Sequence, residues 1–461
     1  MTLIVTSDFE LQRIAPPNLP LATPEYSKAY QDQLNNVLRL YFNRLQSILG
    51  QLVATMETIP VSIGGTNLDA FGRLRVSNPL TLFDSSHRYA DNNLWVNSIT
   101  GTAAATFSAD EGLINMTVGS ASGDQIIRET IKVFSYQPGK SLLVMNTFVF
   151  GTAKAGLRQR AGYYGAANGI YFEREGSINY MVERSSVTGS VVNTRVAQAD
   201  WNQDPMDGTG PSGLTLDSSK AQILYMDVEW LGLGTVRTGF IINGAFVPCH
   251  NFDHANLVNT TYITTASLPL RYEMTNVAAT TGASTLKQVC STVISEGGYE
   301  LRGAQLSAGT PITTPKTLTT AGTVYPIVSF RLKSTRLDGI AILTAISILG
   351  VTNNANYQWS VVVNGTTTGG TWVSAGANSS VEYNITGTSF SSTGGRILAT
   401  GYFQGSNQGA TSVDILKAAL FTTQLERNPF TATAYEITLA CTAASNGDQV
   451  LGSLDWEEVS R

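Results

Sequence analysis

Residues 221–244 read AQILYMDVEWLGLGTVRTGFIING. Leu224, Met226 and Val228 alternate with Tyr225, Asp227 and Glu229, a period of two that belongs to a strand with one buried face. GLGTVRTG at 232–239 resembles a glycine-rich phosphate loop, but it stands between two strand-like runs and not before a helix. The spacing predicts a hairpin turn there.

The same pattern extends in both directions. QIIRETIKVF (125–134) and SLLVMNTFVF (141–150) are strand-like, and GIYFERE pairs with SINYMVER around Gly176. Residues 61–303 are therefore expected to form an antiparallel β-sandwich of jelly-roll or lectin-like kind. The Thr/Pro-rich stretch AQLSAGTPITTPKTLTTAGT (304–323) lacks apolar periodicity and predicts a linker. VYPIVSFRLKS, GIAILTAISILG, YQWSVVVNG and AYEITLACTA then predict a second antiparallel sandwich over 324–461. The fold class expected is mainly β.

The N-terminal end differs. APPNLPLATP carries four prolines, so residues 1–22 are expected to be an extended anchoring arm. Thr23 as N-cap, Pro24 and Glu25 open a helix that Pro60 closes, giving 23–60. Leu34, Leu38, Tyr41, Leu45, Ile48 and Leu52 recur at heptad spacing, with Phe42 and Leu49 widening the stripe. An amphipathic helix lying on its own domain and a short parallel bundle of three identical helices both fit. The second reading makes these six residues an oligomerisation seam.

Composition narrows the function. Charged residues are 14% of the chain, against about 25% in an ordinary soluble protein, and Thr, Ser, Asn and Gly take their place. A net charge of −5 argues against nucleic acid as a partner. The N-terminus has no basic segment ahead of an apolar one, and the longest apolar run, 339–351, is too short to span a bilayer, so neither export nor membrane insertion is expected. Cys249, Cys290 and Cys441 suggest no disulfide framework, in keeping with synthesis in a reducing cytoplasm.

Sites of chemistry are sparse. Cys249, His250, Asp253 and His254 are possible zinc ligands, yet the two histidines align only on a helix and this segment follows a strand. Asp200, Asp204 and Asp207 break the EF-hand pattern at Pro205, leaving a loop calcium as an open alternative. Asp227 and Glu229 share a strand face and are the candidates for paired carboxylates of glycoside hydrolysis, with solvent-facing positions the plainer alternative. In the second sandwich, Tyr357, Trp359 and Trp372 lie among Asn and Thr and are candidates for stacking on sugar rings; for Trp359, core filling is the alternative. No cofactor, metal or catalytic residue is expected.

DAFGRLRVSNPLTLFDSSHRYADN (69–92), the stretch from Trp201 to Asn256, ASTLKQVCSTVISEGGY (283–299) and the C-terminal end from FTTQLERNPF to GSLDWEEVSR resemble virion structural proteins of tailed bacteriophages, especially marine and cyanobacterial ones. TPEYSKAYQDQLNNVLRLYFNRL (23–45) is similar to short phage proteins encoded near structural genes. The resemblance implies a virion component, either tail-fibre or adaptor-like or a head decoration, and brings no catalytic residue. Its expected partners are copies of itself as a homotrimer, other virion proteins and host-surface carbohydrate. A non-enzymatic role is expected; the alternative is a virion-associated glycan hydrolase on a β-scaffold.

Overall fold

The computed structural model describes Leu19 and residues 27–58, 78–300, 302–405, 411–412 and 423–460. The expected arm at 1–22 lies outside the described residues apart from Leu19. The chain divides into two units, one up to Val76 and one from Ser77 onward.

The first unit contains one helix, α1, Lys28–Thr58. It starts later than the Thr23 cap predicts. Ser27 is the residue that caps it, its carbonyl accepting from the Gln31 amide at 3.1 Å and its Oγ from the Tyr30 amide at 3.4 Å. Leu34, Leu38, Tyr41 and Leu45 are half-buried, whereas Leu40 and Phe42 are 58% exposed. The side chains of Ile48 and Leu52 lie outside the described set.

The second unit is β, and among the described residues every strand pairing in it is antiparallel. An eight-stranded sheet runs Ala245–Phe252, Val236–Ile242, Gln222–Val228, Leu142–Val149, Ser284–Ser295, Leu113–Val118, Ala104–Ser108, with Leu80–Ser85 also on Ser284–Ser295. A seven-stranded sheet runs Val192–Ala197, Ile178–Ser185, Gly169–Glu175, Leu157–Tyr164, Leu270–Asn276, Gln125–Thr130, Trp95–Thr100. Alternate residues from both fill one core, where Phe148, Phe150 and Phe172 stack with centroids 4.4–6.1 Å apart. The Leu142–Val149 strand shows why: Leu142, Val144, Asn146 and Phe148 are buried while the residues between them are half-exposed. Hairpin chemistry is equally local. Asn243 and Gly244, at φ 52° and 80°, make the two-residue turn between Ile242 and Ala245, a position that favours Asn-Gly. The predicted hairpin around Gly176 is present, with Glu175 opposite Ile178.

A second core gathers Phe330, Tyr357, Trp359, Leu439 and Trp456 between a five- and a seven-stranded sheet. Residues 304–323, expected to be a linker, instead supply two strands. Ala304–Gly309 and Lys316–Leu318 both pair with the last strand, Asp448–Ser460. Thr and Ser suit a pleated edge as well as a loop, which is why composition misled there.

The two sandwiches are bonded to one another. Arg427, nearly fully buried, donates to Glu129 at 2.8 Å in the first and to Asp338 at 2.9 Å in the second. Its amide donates to the Ile131 carbonyl, and Gln424 Nε2 to the Val133 carbonyl. Val133 packs with Ile340, Ile342 and Val459.

Candidate functional site

Three neighbouring strands of the eight-stranded sheet end together. Val228 pairs with Leu142, which pairs with Ser295. Alternation then places Asp227 and Glu229, Ser141 and Leu143, and Ile294 and Glu296 on the outer face, away from the core. Ser141 Oγ donates to Glu296 at 2.7 Å, and Glu229 Oε2 accepts from the Thr235 amide at 3.4 Å. Burial pushes the Asp227 carboxyl above its ordinary pKa; Arg237, 3.2 Å away, opposes this, and the charges of Glu296 and Glu229 add to it. A half-buried carboxyl that keeps its proton to higher pH, beside exposed carboxylates, is the asymmetry that acid–base chemistry requires.

A cleft of about 480 Å³ opens on residues next in sequence to this sheet end, lined by Tyr136, Gln137, Lys140, Tyr299, Glu300 and Arg302, among others; Asp227, Glu229 and Glu296 are not in its wall. Tyr136 stands edge-on to Trp230, the residue after Glu229, at 6.3 Å. Burial pushes the Tyr299 hydroxyl up to about 12, so it is a hydrogen-bond donor at neutral pH. Gln137 and Glu300 hold the wall together through two bonds, Gln137 Nε2 donating to the Glu300 carbonyl at 2.6 Å and the Glu300 amide to Gln137 Oε1 at 3.0 Å. The cleft therefore offers aromatic rings, a hydroxyl, an ammonium and a guanidinium.

The outer face of the seven-stranded sheet is a different kind of surface. Arg160 lies directly across from Glu173 on one side and Glu273 on the other, and bonds them at 2.5 and 3.0 Å. Tyr164 and Tyr171 pack with ring centroids 4.3 Å apart and planes tilted by 35°, and Arg184 lies over both rings. All of these residues are under 9% exposed. Burial alone would raise Glu273, yet Arg160, Arg271 and Arg158 outweigh it and hold its carboxyl below the usual range. A carboxylate so paired is a poor proton donor, and this lattice serves as a rigid backing.

The residues singled out from sequence fare unequally. Tyr357 and Trp359 are 2% and 6% exposed and belong to the second core, so they are corrected: neither presents a face to a sugar. Trp372 is half-buried, and Arg331 lies over its ring at 3.9 Å. Among the described residues no cluster of three or more His, Cys, Asp or Glu is placed to hold a metal. Cys249 instead packs its sulfur against Met206 at 3.3 Å, and His250 Nδ1 accepts from the Asn202 amide. Asp204 accepts from the Met206 and Ser212 amides and Asp207 from Thr209, so both carboxylates organise their own loop. Sequence reading found Asp227 and Glu229 but missed Glu296, because its proximity comes from strand pairing across more than sixty positions of chain.

No family model and no curated protein matches this chain. Among solved structures it is similar to a carbohydrate esterase from the Shiga toxin-encoding bacteriophage phi24B, with 11% identity over 48% of this chain and 100% of that one, at a TM-score of 0.29. It is also similar to a β-1,3-glucanase from Mycobacterium marinum (10% identity, 46% and 98% covered, TM-score 0.33) and to a legume lectin-like domain from Entamoeba histolytica (11%, 46% and 97%, 0.28). The expectation of a non-enzymatic chain is corrected on this finding, since carbohydrate-active enzymes stand among the similar folds. Likeness at this level transfers no residue role and no substrate.

Proposed function

We propose that this chain is a virion-associated protein of a tailed phage that engages glycan at the end of its first sandwich and hydrolyses it there. The observation that carries the reading is the half-buried, raised Asp227 carboxyl, on the same strand face as Glu229 and within the field of Glu296. Asp227 is the general acid, protonating the glycosidic oxygen as the bond to the anomeric carbon breaks. Glu229 is the base that takes a proton from the attacking water. Direct attack by the water that Glu229 deprotonates makes the proposed course an inverting one. Arg237 holds Asp227 in place, and its own exposure keeps the pair weak.

The phage assignment rests on the sequence resemblance and the placement of a helix ahead of the sandwiches. The half-covered stripe of Leu34, Leu38, Tyr41 and Leu45 supports a homotrimer built on α1, anchored to other virion proteins. Trp372, with Arg331 behind it, is a second place for a sugar ring to rest.

The test is reducing-end release from host envelope polysaccharide by the full chain. Asp227→Asn and Glu229→Gln should each cut the rate by about 10²-fold or more while leaving glycan binding in place. Equal rates in wild type and both variants would remove the carboxylates from the reading.

A further inference from the structure

His254 is buried where three parts of the first sandwich meet. Its Nδ1 lies 2.6 Å from the Gly234 carbonyl and its Nε2 2.7 Å from Glu183, while its ring stacks on Tyr262 at 3.9 Å and 6°. A carbonyl oxygen accepts only, and so does an ionised carboxylate. A neutral imidazole has one N–H and can serve one of them; both are served only by the imidazolium.

The carbonyl so held belongs to the turn that carries Glu229. The Glu229 amide donates to the Thr235 carbonyl, and the Gly234 and Leu233 amides donate to the Trp230 carbonyl. Tyr262, under the histidine ring, donates its amide to the Gly232 carbonyl and its hydroxyl to the Glu229 carbonyl at 3.3 Å. A side chain at Gly234 would strike the Glu229 backbone, so the turn has little freedom once its end is pinned. Leu231 adds to this, sitting at φ 38°, which a leucine adopts only when its surroundings impose it.

We propose that His254, as an imidazolium bridging Glu183 and the Gly234 carbonyl, is the positioning residue of the turn that places Glu229, and that losing its proton loosens that turn. The inference rests on the hydrolase reading only for its consequence in turnover; the clamp itself is a property of the fold. The groups facing the ring are Glu183 from the Ile178–Ser185 strand, Asp253 from its own segment, and Tyr262 beneath it. Behind Tyr262 stand Glu229, Tyr136 and Tyr163. Burial disfavours the charged ring, but the bonds to Glu183 and Gly234 outweigh it and hold the pKa above the ordinary imidazole value. A raised folded-state pKa stabilises at low pH and is lost as pH rises. The clamp is therefore complete below the ordinary imidazole range and opens as pH climbs through the raised value.

Amide hydrogen exchange of the full chain tests this directly. After correction for intrinsic rates, protection of residues 229–235 should fall by about tenfold or more across the His254 titration, the scale of a charged hydrogen bond. The fully buried Leu270–Asn276 strand should not change. His254→Gln carries both of its N–H groups on one nitrogen, which cannot stand at the two places the ring nitrogens occupy; it should show the loosened turn at every pH. Should that variant fail to fold, the ring nitrogens of wild-type His254 decide by NMR: both protonated at the pH where an ordinary imidazole is half-titrated is expected, and one bare nitrogen there overturns the proposal. Protection of 229–235 that is independent of pH in wild type and unaltered in His254→Gln would also overturn it. If the exchange result holds but no glycan is cleaved, the clamp stands and the hydrolase reading falls.

Discussion

Single residues separate into those that fill the molecule and those that face out of it, and burial decides between them where sequence spacing does not. Trp359 and Trp372 look alike in sequence, each among Asn, Thr and Gly. Trp359 alternates with Tyr357 and Val361 along one strand and points into the second core. Trp372 lies beyond the end of that strand, in the stretch between Asn356–Thr368 and Val373–Ser374, and keeps part of its ring open. Trp359→Ala should therefore cost about 3–5 kcal/mol of folding stability, read as a lowered denaturant midpoint. Trp372→Ala should leave that midpoint in place and weaken glycan binding; the reverse pattern would exchange their roles. Asp227 and Glu229 were legible because alternation alone puts them on one face. The elevation of the Asp227 carboxyl was not, since the local burial and the Glu296 charge that raise it, and the Arg237 charge that opposes them, come from other strands.

Strands were legible wherever apolar and polar residues alternate, as in Leu142–Val149, and wherever a turn has its own chemistry, as at Asn243-Gly244. Elements whose reason lies across the sheet were not. The lattice of Arg160, Glu173, Glu273 and Arg271 fills positions that alternation assigns to solvent, and only cross-strand pairing explains charges so deeply buried. The strands at 304–309 and 316–318 were hidden by Thr and Pro and exist because the last strand offers them an edge. On α1 the heptad is clear in sequence, while its partner is a matter for experiment. A trimer on that seam should sediment as three copies at micromolar concentration, and Leu38→Asp combined with Leu45→Asp should release monomers. A wild-type monomer would leave the stripe without the role proposed for it.

At the scale of the molecule, the order of helix, first sandwich and second sandwich follows from where the apolar period changes along the chain. The joint between the sandwiches does not, because it depends on Arg427 meeting Glu129 across nearly three hundred residues. Arg427→Met leaves the Glu129 carboxyl buried with its main partner gone, and should cost about 3–5 kcal/mol. Differential scanning calorimetry should then show two transitions where wild type shows one; an unchanged single transition would mean that the joint is held by the Val133 and Ile340 contacts alone. In the proposed site a proton-holding carboxyl, Asp227, and its partner Glu229 share one outer strand face of the first sandwich. The pH profile of wild-type reducing-end release from host envelope polysaccharide examines that arrangement most directly. The account predicts release with an alkaline limb at a pH above the ordinary aspartate range, set by Asp227 and abolished in Asp227→Asn. Binding of the polysaccharide with no release at any pH would contradict it.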